Sequence, residues 1–419
     1  MKLYAKRGTT LLARSVALKT PALLVLSRFA VIGANLLTGV FLARGLAVEA
    51  RGVLATVVAM PGLAAMAMTA GLDSATLRLS GKEAQRRAAI RAAYRRGVLA
   101  LALAVIVCPV WLVVAPQPLS LEVRFAWAVS ILLIPVLVLN QLLGNCAIGA
   151  KKTALWTTAT AVNSLVYLTL SATLFFADLT SLIAFLSCYA ASNLLSLSVL
   201  LSWSRKFQAS HDNDDPSAAL VMRSTAIGTA IPTVAQLAML RVPLPLMSIT
   251  AGVRDVGVLA VALPFAESLL IIPVMVTSYL LPRYHANGAT LIEVRRHAKW
   301  VLFCTTALGV VIAALAPVLI ERVYGGDYAS AVPVIEVLLP GVAIFSYGRS
   351  MQAYLFSRGR YASVTVAAIL GLAVSVVVQV ATAAEIGSLG GALGILSGYA
   401  VSTGIVIAGL RYFPPSGAT

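Results

Sequence analysis

Acid is scarce in this chain. Asp and Glu number 15 against 32 Lys and Arg, giving a net charge of +17, and charged residues of either sign make up only 11% of 419 positions. With 60% hydrophobic residues and a mean hydropathy of +0.92, that shortage excludes a soluble domain with a solvated surface. Cysteine and histidine are also few. Cys108, Cys146, Cys188 and Cys304 are isolated within apolar runs, without CxxC or zinc spacing, and His211, His285 and His297 fall in polar loops. A metal site is therefore not expected. There is no phosphate-binding glycine loop, no nucleotide domain and no Ser/His/Asp set, so neither an enzyme nor a bound cofactor is expected. No polar stretch is long enough to form a separate domain.

What is present is a series of twelve apolar runs, at roughly 21–43, 52–74, 97–116, 125–147, 154–177, 181–203, 225–249, 257–281, 299–320, 332–355, 361–383 and 390–410. About 20 apolar residues let a helix cross the hydrocarbon core. The fold class expected is an all-α polytopic membrane protein. The basic N-terminal stretch (Lys2, Lys6, Arg7, Arg14, Lys19) lacks a small-residue cleavage site, so the first run reads as a retained helix.

The basic residues alternate in side. If the N-terminus is cytoplasmic, about 24 of the 32 fall on inner segments, among them Arg78, Arg86, Arg95, Lys151, Arg205, Arg295 and Arg358. The outer loops hold Arg44, Arg51, Arg124, Arg254 and Arg322. Both termini are thus placed inside, which agrees with an even number of spans, and the charge needs no nucleic-acid partner. Stretch 82–96 (KEAQRRAAIRAAYRR) is basic and helix-prone, and is expected on the inner membrane surface.

A linker-like stretch, SRKFQASHDNDDPS, lies at the midpoint. The organisation expected is a cytoplasmic segment 1–20, a six-helix bundle 21–203, a linker 204–224, a second six-helix bundle 225–411 and a tail 412–419. Gly52-Val53-Leu54-Ala55 and Gly257-Val258-Leu259-Ala260 open spans 2 and 8 at an offset of 205 residues, followed by Pro61 and Pro264. A glycine also precedes a basic inner turn in both halves, Gly149 and Gly359. Two halves in one orientation imply a symmetry axis along the membrane normal and a cleft between them.

Charge inside a span costs about 2.5–3.5 kcal/mol and marks function by default. Arg241 lies near the centre of span 7, before Pro243 and Pro245, which break the helical ladder and can bend a cleft wall. Glu267, near the middle of span 8, is its natural partner, or else a proton or sodium site. Arg28 and Arg349 either reach the cleft or snorkel to the inner headgroups. Glu336 lies near an outer end, in water. The first six spans show no deep acid, Asp73 included. Excess arginine favours an anionic group such as phosphate, which guanidinium grips by paired hydrogen bonds. Asn35, Asn140, Gln141, Asn145, Asn163, Asn193, Gln236, Gln352 and Gln379 are expected to face other helices.

Four segments resemble a known family. FLARGLAVEARGVLATVVAM (41–60), VRDVGVLAVALPF (253–265), IERVYGGDYASAVPVIEVLLPG (320–341) and GSLGGALGILSGY (387–399) are similar to helix 1–2, 8, 9–10 and 12 elements of Wzx-type polysaccharide flippases. These belong to the multidrug/oligosaccharidyl-lipid/polysaccharide (MOP) superfamily. The resemblance implies two six-helix bundles forming a V, with alternating access. It also implies a polyprenyl-pyrophosphate-linked sugar repeat unit as substrate, moved across a bacterial cytoplasmic membrane, with a polysaccharide polymerase or glycosyltransferase complex as a possible partner. The residues expected to contact the anionic headgroup are Arg241, Arg28 and Arg349, with Glu267 pairing or coupling. Where the family often has Arg-x-Asp in helix 7, Arg241 is followed by Val242 and Pro243, so that aspartate is not carried over. The alternatives are a drug/cation antiporter of the same superfamily and a non-transporting scaffold of a glycan synthase complex.

Overall fold

The computed structural model describes residues 27–114, 120–207, 216–273, 276, 290–358 and 360–412. The N-terminal basic segment, the middle of the expected linker (208–215), Arg283, Gly359 and the tail beyond 412 lie outside the described residues. Among the described residues everything regular is helical. In chain order the elements are α1 (27–45), α2 (Val48–Thr69), α3 (Leu72–Ser80), α4 (Glu83–Val114), α5 (Leu121–Gly149), α6 (Thr153–Phe176) and α7 (Leu182–Ser204). They continue with α8 (Pro216–Arg241), α9 (Pro243–Thr250), α10 (Val253–Leu269), α11 (Leu291–Leu319), α12 (Ala331–Ser357), α13 (Tyr361–Ile386) and α14 (Ser388–Tyr412). Ten of them are long and apolar enough to cross a membrane, or eleven if the bent pair α8/α9 counts as one span. The remaining expected span corresponds to α1, described only from residue 27.

Local chemistry sets several boundaries. Ser120 and Ser181 accept the backbone N–H of Val123 (3.3 Å) and Ala184 (3.2 Å), capping α5 and α7. Thr290 and Glu293 form a reciprocal capping box at the start of α11. Pro243 and Pro245 remove two donors from the ladder, and the chain bends by 46° between α8 and α9, as the sequence implies. The Pro243 carbonyl at this bend accepts the side-chain amide of Gln379 on α13 at 2.8 Å.

One expectation is corrected. The basic stretch 82–96 does not stand apart from the span that follows; from Glu83 it is the first half of one continuous helix, α4. Ala89, Ile90 and Ala93 are fully buried and belong to one apolar core with Leu142, Cys146 and Ala147 of α5. An alanine-rich face fits closely against a neighbour, so the helix runs on without a break. The expected linker is also shorter than 204–224, because α8 begins at Pro216.

Helices α2 to α7 pack among themselves, as do α8 to α14. The outward faces are hydrocarbon: Val113 is 80% exposed, Val310 64% and Val377 66%. α10, by contrast, is buried along most of its length and belongs to the largest apolar core. Between the two groups the principal contact is α2 against α10. Gly52 meets the Val253 carbonyl, and Gly257 meets the Val48 carbonyl, each so closely that a Cβ at either glycine would overlap it. These positions are related by the same offset of 205 residues, so the contact is unchanged when the halves are exchanged. In a bilayer, apolar surface gives helices no reason to associate, and small residues that allow close approach take that role.

Two further ties lie on the same side. Arg44 Nε donates to the Val323 carbonyl (2.6 Å), and the Tyr324 hydroxyl donates to the Leu36 carbonyl (3.1 Å). They join α1 to the π-helical turn Ile320–Tyr324 that follows α11. The charge bias in the sequence predicts that this side faces outward.

Widening the glycine contact should open that side. In a background with the native cysteines replaced, Gly52→Val is expected to raise severalfold the reaction of Thr38→Cys with a membrane-impermeant maleimide added outside. Thr38 is 2% exposed in the closed arrangement. An unchanged rate would show that the α2–α10 contact does not close the outer side.

Candidate functional site

A cavity of about 670 Å³ lies between the two groups of helices. It is lined from both, by Arg28, Arg51, Trp156 and Tyr167 on one side and Arg241, Pro264 and Glu267 on the other. Arg28 and Leu42 of α1 both border it, so it runs about 20 Å along that helix at 1.5 Å per residue. Three guanidinium groups and one carboxylate reach it, a formal excess of two positive charges.

Arg241 is the last residue of α8, and Glu267 lies in the last turn of α10, within the apolar span Val253–Pro273. A cation at a helix C-terminus is favourable and a carboxylate there is not. Pairing resolves both: Arg241 Nη1 lies 3.3 Å from Glu267 Oε1, with the side chains 44% and 31% exposed. This is the pair expected from sequence. At that exposure it contributes about 0–1 kcal/mol and leaves Arg241 free to exchange partners.

Arg28 does reach the cavity. Its guanidinium lies over the Trp156 ring, 3.7 Å from the centroid. Such a contact contributes about 0.5–2 kcal/mol and holds the charge without neutralising it. Arg349 takes a different place. It is not among the cavity-lining residues, and its guanidinium donates to the side-chain oxygen of Gln236. Gln236 in turn donates to Gln352 Oε1 at 2.8 Å. The structure therefore brings Arg28 and Arg241 to one cavity and sets Arg349 in a glutamine network inside the second group of helices. The physical reason is that Arg349 shares a face of α12 with Gln352, and both side chains are turned to Gln236 of α8.

Arg51 was placed in an outer loop by sequence, but it lies in the first turns of α2 and lines the cavity. Its Nε is buried without an acceptor, the kind of donor an anionic ligand would satisfy. Tyr167, Tyr324 and Tyr328 lie within its electrostatic reach. Its place just before the apolar run hid it; the signal lay in the closeness of Gly52, which draws the start of α2 into the interior.

One wall is made of amides. Asn140 Nδ2 donates to the Asn193 carbonyl (2.9 Å), and Asn163 Nδ2 to Asn193 Oδ1 (3.0 Å). Tyr167 and Tyr189 stack edge to face at 5.6 Å beside them. The Asn140 side-chain oxygen is buried without a donor. Such a wall suits hydroxyl-rich groups. Glu336 is exposed, as expected. Among the described residues no group of three or more His, Cys, Asp or Glu could hold a metal ion.

No family model matches the chain, and no curated protein matches its sequence. Solved structures do. A MATE-family multidrug resistance transporter of the MOP superfamily, inward-facing, is 14% identical with a TM-score of 0.69, covering 92% of this chain and 96% of that one. The lipid II flippase MurJ in an inward closed conformation is 14% identical with a TM-score of 0.74, covering 94% and 88%. A MOP-superfamily transporter from Pyrococcus furiosus Vc1, described as having a binding pocket of reverse polarity, is 13% identical with a TM-score of 0.61, covering 93% of each chain. At these identities the likeness is one of fold: this is a multi-pass membrane protein with the architecture of MOP-superfamily transporters.

The charge balance gives a direct test on detergent-solubilised protein. Arg241→Ala is expected to weaken pyrophosphate binding severalfold at low salt, and Glu267→Gln to strengthen it, measured by calorimetry. Equal affinity in both variants would remove the anion from this part of the cavity.

Proposed function

We propose that the protein flips a polyprenyl-pyrophosphate-linked oligosaccharide across a bacterial cytoplasmic membrane by alternating access, for export of a cell-surface polysaccharide. The observation that carries this reading is the cavity's charge: Arg28, Arg51 and Arg241 against Glu267 alone. Guanidinium groups grip phosphate oxygens in pairs. The arginines are spread along the cavity, so a pyrophosphate moving from one end to the other stays within reach of a positive charge. The Asn140, Asn163 and Asn193 wall supplies donors and acceptors for sugar hydroxyls. A volume of about 670 Å³ falls within the roughly 300–1,000 Å³ usual for ligand sites.

In this scheme Glu267 holds Arg241 while the cavity is empty. An arriving pyrophosphate replaces it, so the guanidinium is never left unpaired in a low-dielectric site. The polyprenyl tail remains in the bilayer and only the headgroup traverses the polar path. An organic cation, the substrate class of the rival antiporter reading, would meet an excess of positive charge whose one balancing carboxylate already has a partner.

Arg241→Ala is expected to abolish flipping of a fluorescent polyprenyl-pyrophosphate-linked sugar in proteoliposomes, with membrane insertion and yield unchanged, and Arg28→Ala and Arg51→Ala to slow it tenfold or more. Wild-type flipping in all three variants would refute the role of the arginines; no flipping by the parent protein would leave the scaffold reading, and movement of organic cations in place of the lipid-linked sugar would favour the antiporter.

A further inference from the structure

Sequence position assigns Asp73 to the end of a span. The structure gives it a more specific setting. Asp73 lies in the first turn of α3, beyond the spanning helix α2, and its carboxylate is half-buried. Three neutral donors surround it. Oδ2 accepts Gln141 Nε2 at 2.8 Å and Thr69 Oγ1 at 3.2 Å, and Oδ1 accepts Asn145 Nδ2 at 3.0 Å.

Two of its neighbours give this position consequence. Gln141 also lines the central cavity, so the carboxylate stands one hydrogen bond behind the cavity wall. Gly71, two residues before Asp73, adopts φ +72° and lies against the Ala226 carbonyl of α8 so closely that a Cβ would overlap it. That contact is the inner counterpart of the α2–α10 approach. Arg78 Nη1 reinforces it with a hydrogen bond to Thr225 Oγ1 at 3.3 Å.

The ionised and protonated carboxyl groups do not hold the same partners equally well. An ionised carboxylate accepts all three donors. A proton on Oδ2 turns that oxygen into a donor facing two donors. The Thr69 hydroxyl can turn its own proton to the Met66 carbonyl and accept it, and the Gln141 amide is left with an uncharged oxygen that accepts far more weakly.

The charged and titratable groups on the elements packed against Asp73 have other engagements or stand apart. On α3, Arg78 is directed to Thr225. On α4, Arg86 Nε donates to the Ser80 carbonyl at 3.1 Å, Tyr94 bonds Ser204 at 2.7 Å, and Arg91, Arg95 and Arg96 lie further along the helix. On α5, Cys146 is fully buried. On α8, Arg223 is exposed and Arg241 is paired with Glu267. Burial raises the Asp73 carboxyl to about 6, with the hydrogen bonds from Thr69, Gln141 and Asn145 pulling it the other way.

We propose that Asp73 is a proton-binding site that links the cavity to the α3–α8 contact. Ionised, it fastens α5 to α3 through Gln141 and Asn145. Protonated, it releases the Gln141 amide to the cavity and loosens the helix pair. The link needs no particular substrate, so it stands or falls separately from the flippase reading.

The test uses the full-length protein in lipid nanodiscs without substrate. Infrared difference spectra should show a protonated carboxyl band that is lost as pH rises through about 6 and is missing from Asp73→Asn. After correction for intrinsic rates, hydrogen exchange over 70–81 and 222–230 should be severalfold faster at about pH 5 than at about pH 8 in the parent, and fast at both in Asp73→Asn. Gln141→Leu should keep the titrating band but exchange fast at the higher pH. A band that titrates in the ordinary carboxylate range, exchange in the parent that ignores pH, or a parental pH response in Asp73→Asn would each overturn the proposal. If Asp73→Asn does not reconstitute, the parent and Gln141→Leu decide it alone.

Discussion

Charge held inside a body whose outer surface is hydrocarbon is the constraint on which this structure depends. A guanidinium facing acyl chains costs several kcal/mol, so Arg28, Arg51 and Arg241 must find an interior. A single close-packed bundle would offer one only by locking each arginine to an acid, and the chain has few acids to give. Two groups of helices meeting along a narrow line leave a gap instead. Each arginine then receives a partial answer: an indole face for Arg28, a half-exposed carboxylate for Arg241, and a tyrosine-rich corner for Arg51. None is strong enough to be permanent. The proposed binding and release of an anion would draw on this intermediate level of satisfaction.

The neutral polar residues share the same logic in miniature. Gln141 and Asn145 converge on Asp73, Asn140 and Asn163 on Asn193, and Gln236 joins Arg349 to Gln352. Each set ties two or three helices of one group together, where an unpaired amide in lipid would be costly. The closest contacts between groups are of a different kind, glycines against backbone carbonyls, with a few side-chain ties beside them such as Arg44 to the Val323 carbonyl, Arg78 to Thr225 and Arg254 to Glu49. Polar networks within each group, and between them close backbone contacts with few side-chain ties, form an arrangement that permits the groups to move as units.

Much of this was legible beforehand. Long apolar runs and the alternation of Lys and Arg reveal an all-helical membrane protein because the bilayer leaves few other solutions. The bend at Pro243, the Arg241–Glu267 pair and the matched glycines at 52 and 257 were readable because each is a local departure from the apolar pattern with a known mechanical cause. Arg51 and Arg349 were misplaced, and the partners of Asp73 went unseen, for a common reason. Depth along a span can be counted from sequence, but direction around the helix cannot be settled when every face is apolar. Arg51 lies just before the run 52–74 and Asp73 at its far end, so both look solvated; tertiary packing draws both inward. Arg349 has suitable depth and faces its own helices. The 82–96 stretch misleads similarly, since its alanines read as neutral on a membrane surface yet fit closely against α5.

The α2–α10 seam has a mechanical implication. Where large side chains interlock, one helix can turn against another only by climbing out of a groove. Gly52 and Gly257 present no knobs, and each rests on a carbonyl of the opposite helix. The two helices can therefore roll about this point as on a fulcrum. The symmetry of the seam loads both sides of that pivot alike, whichever way the molecule tips.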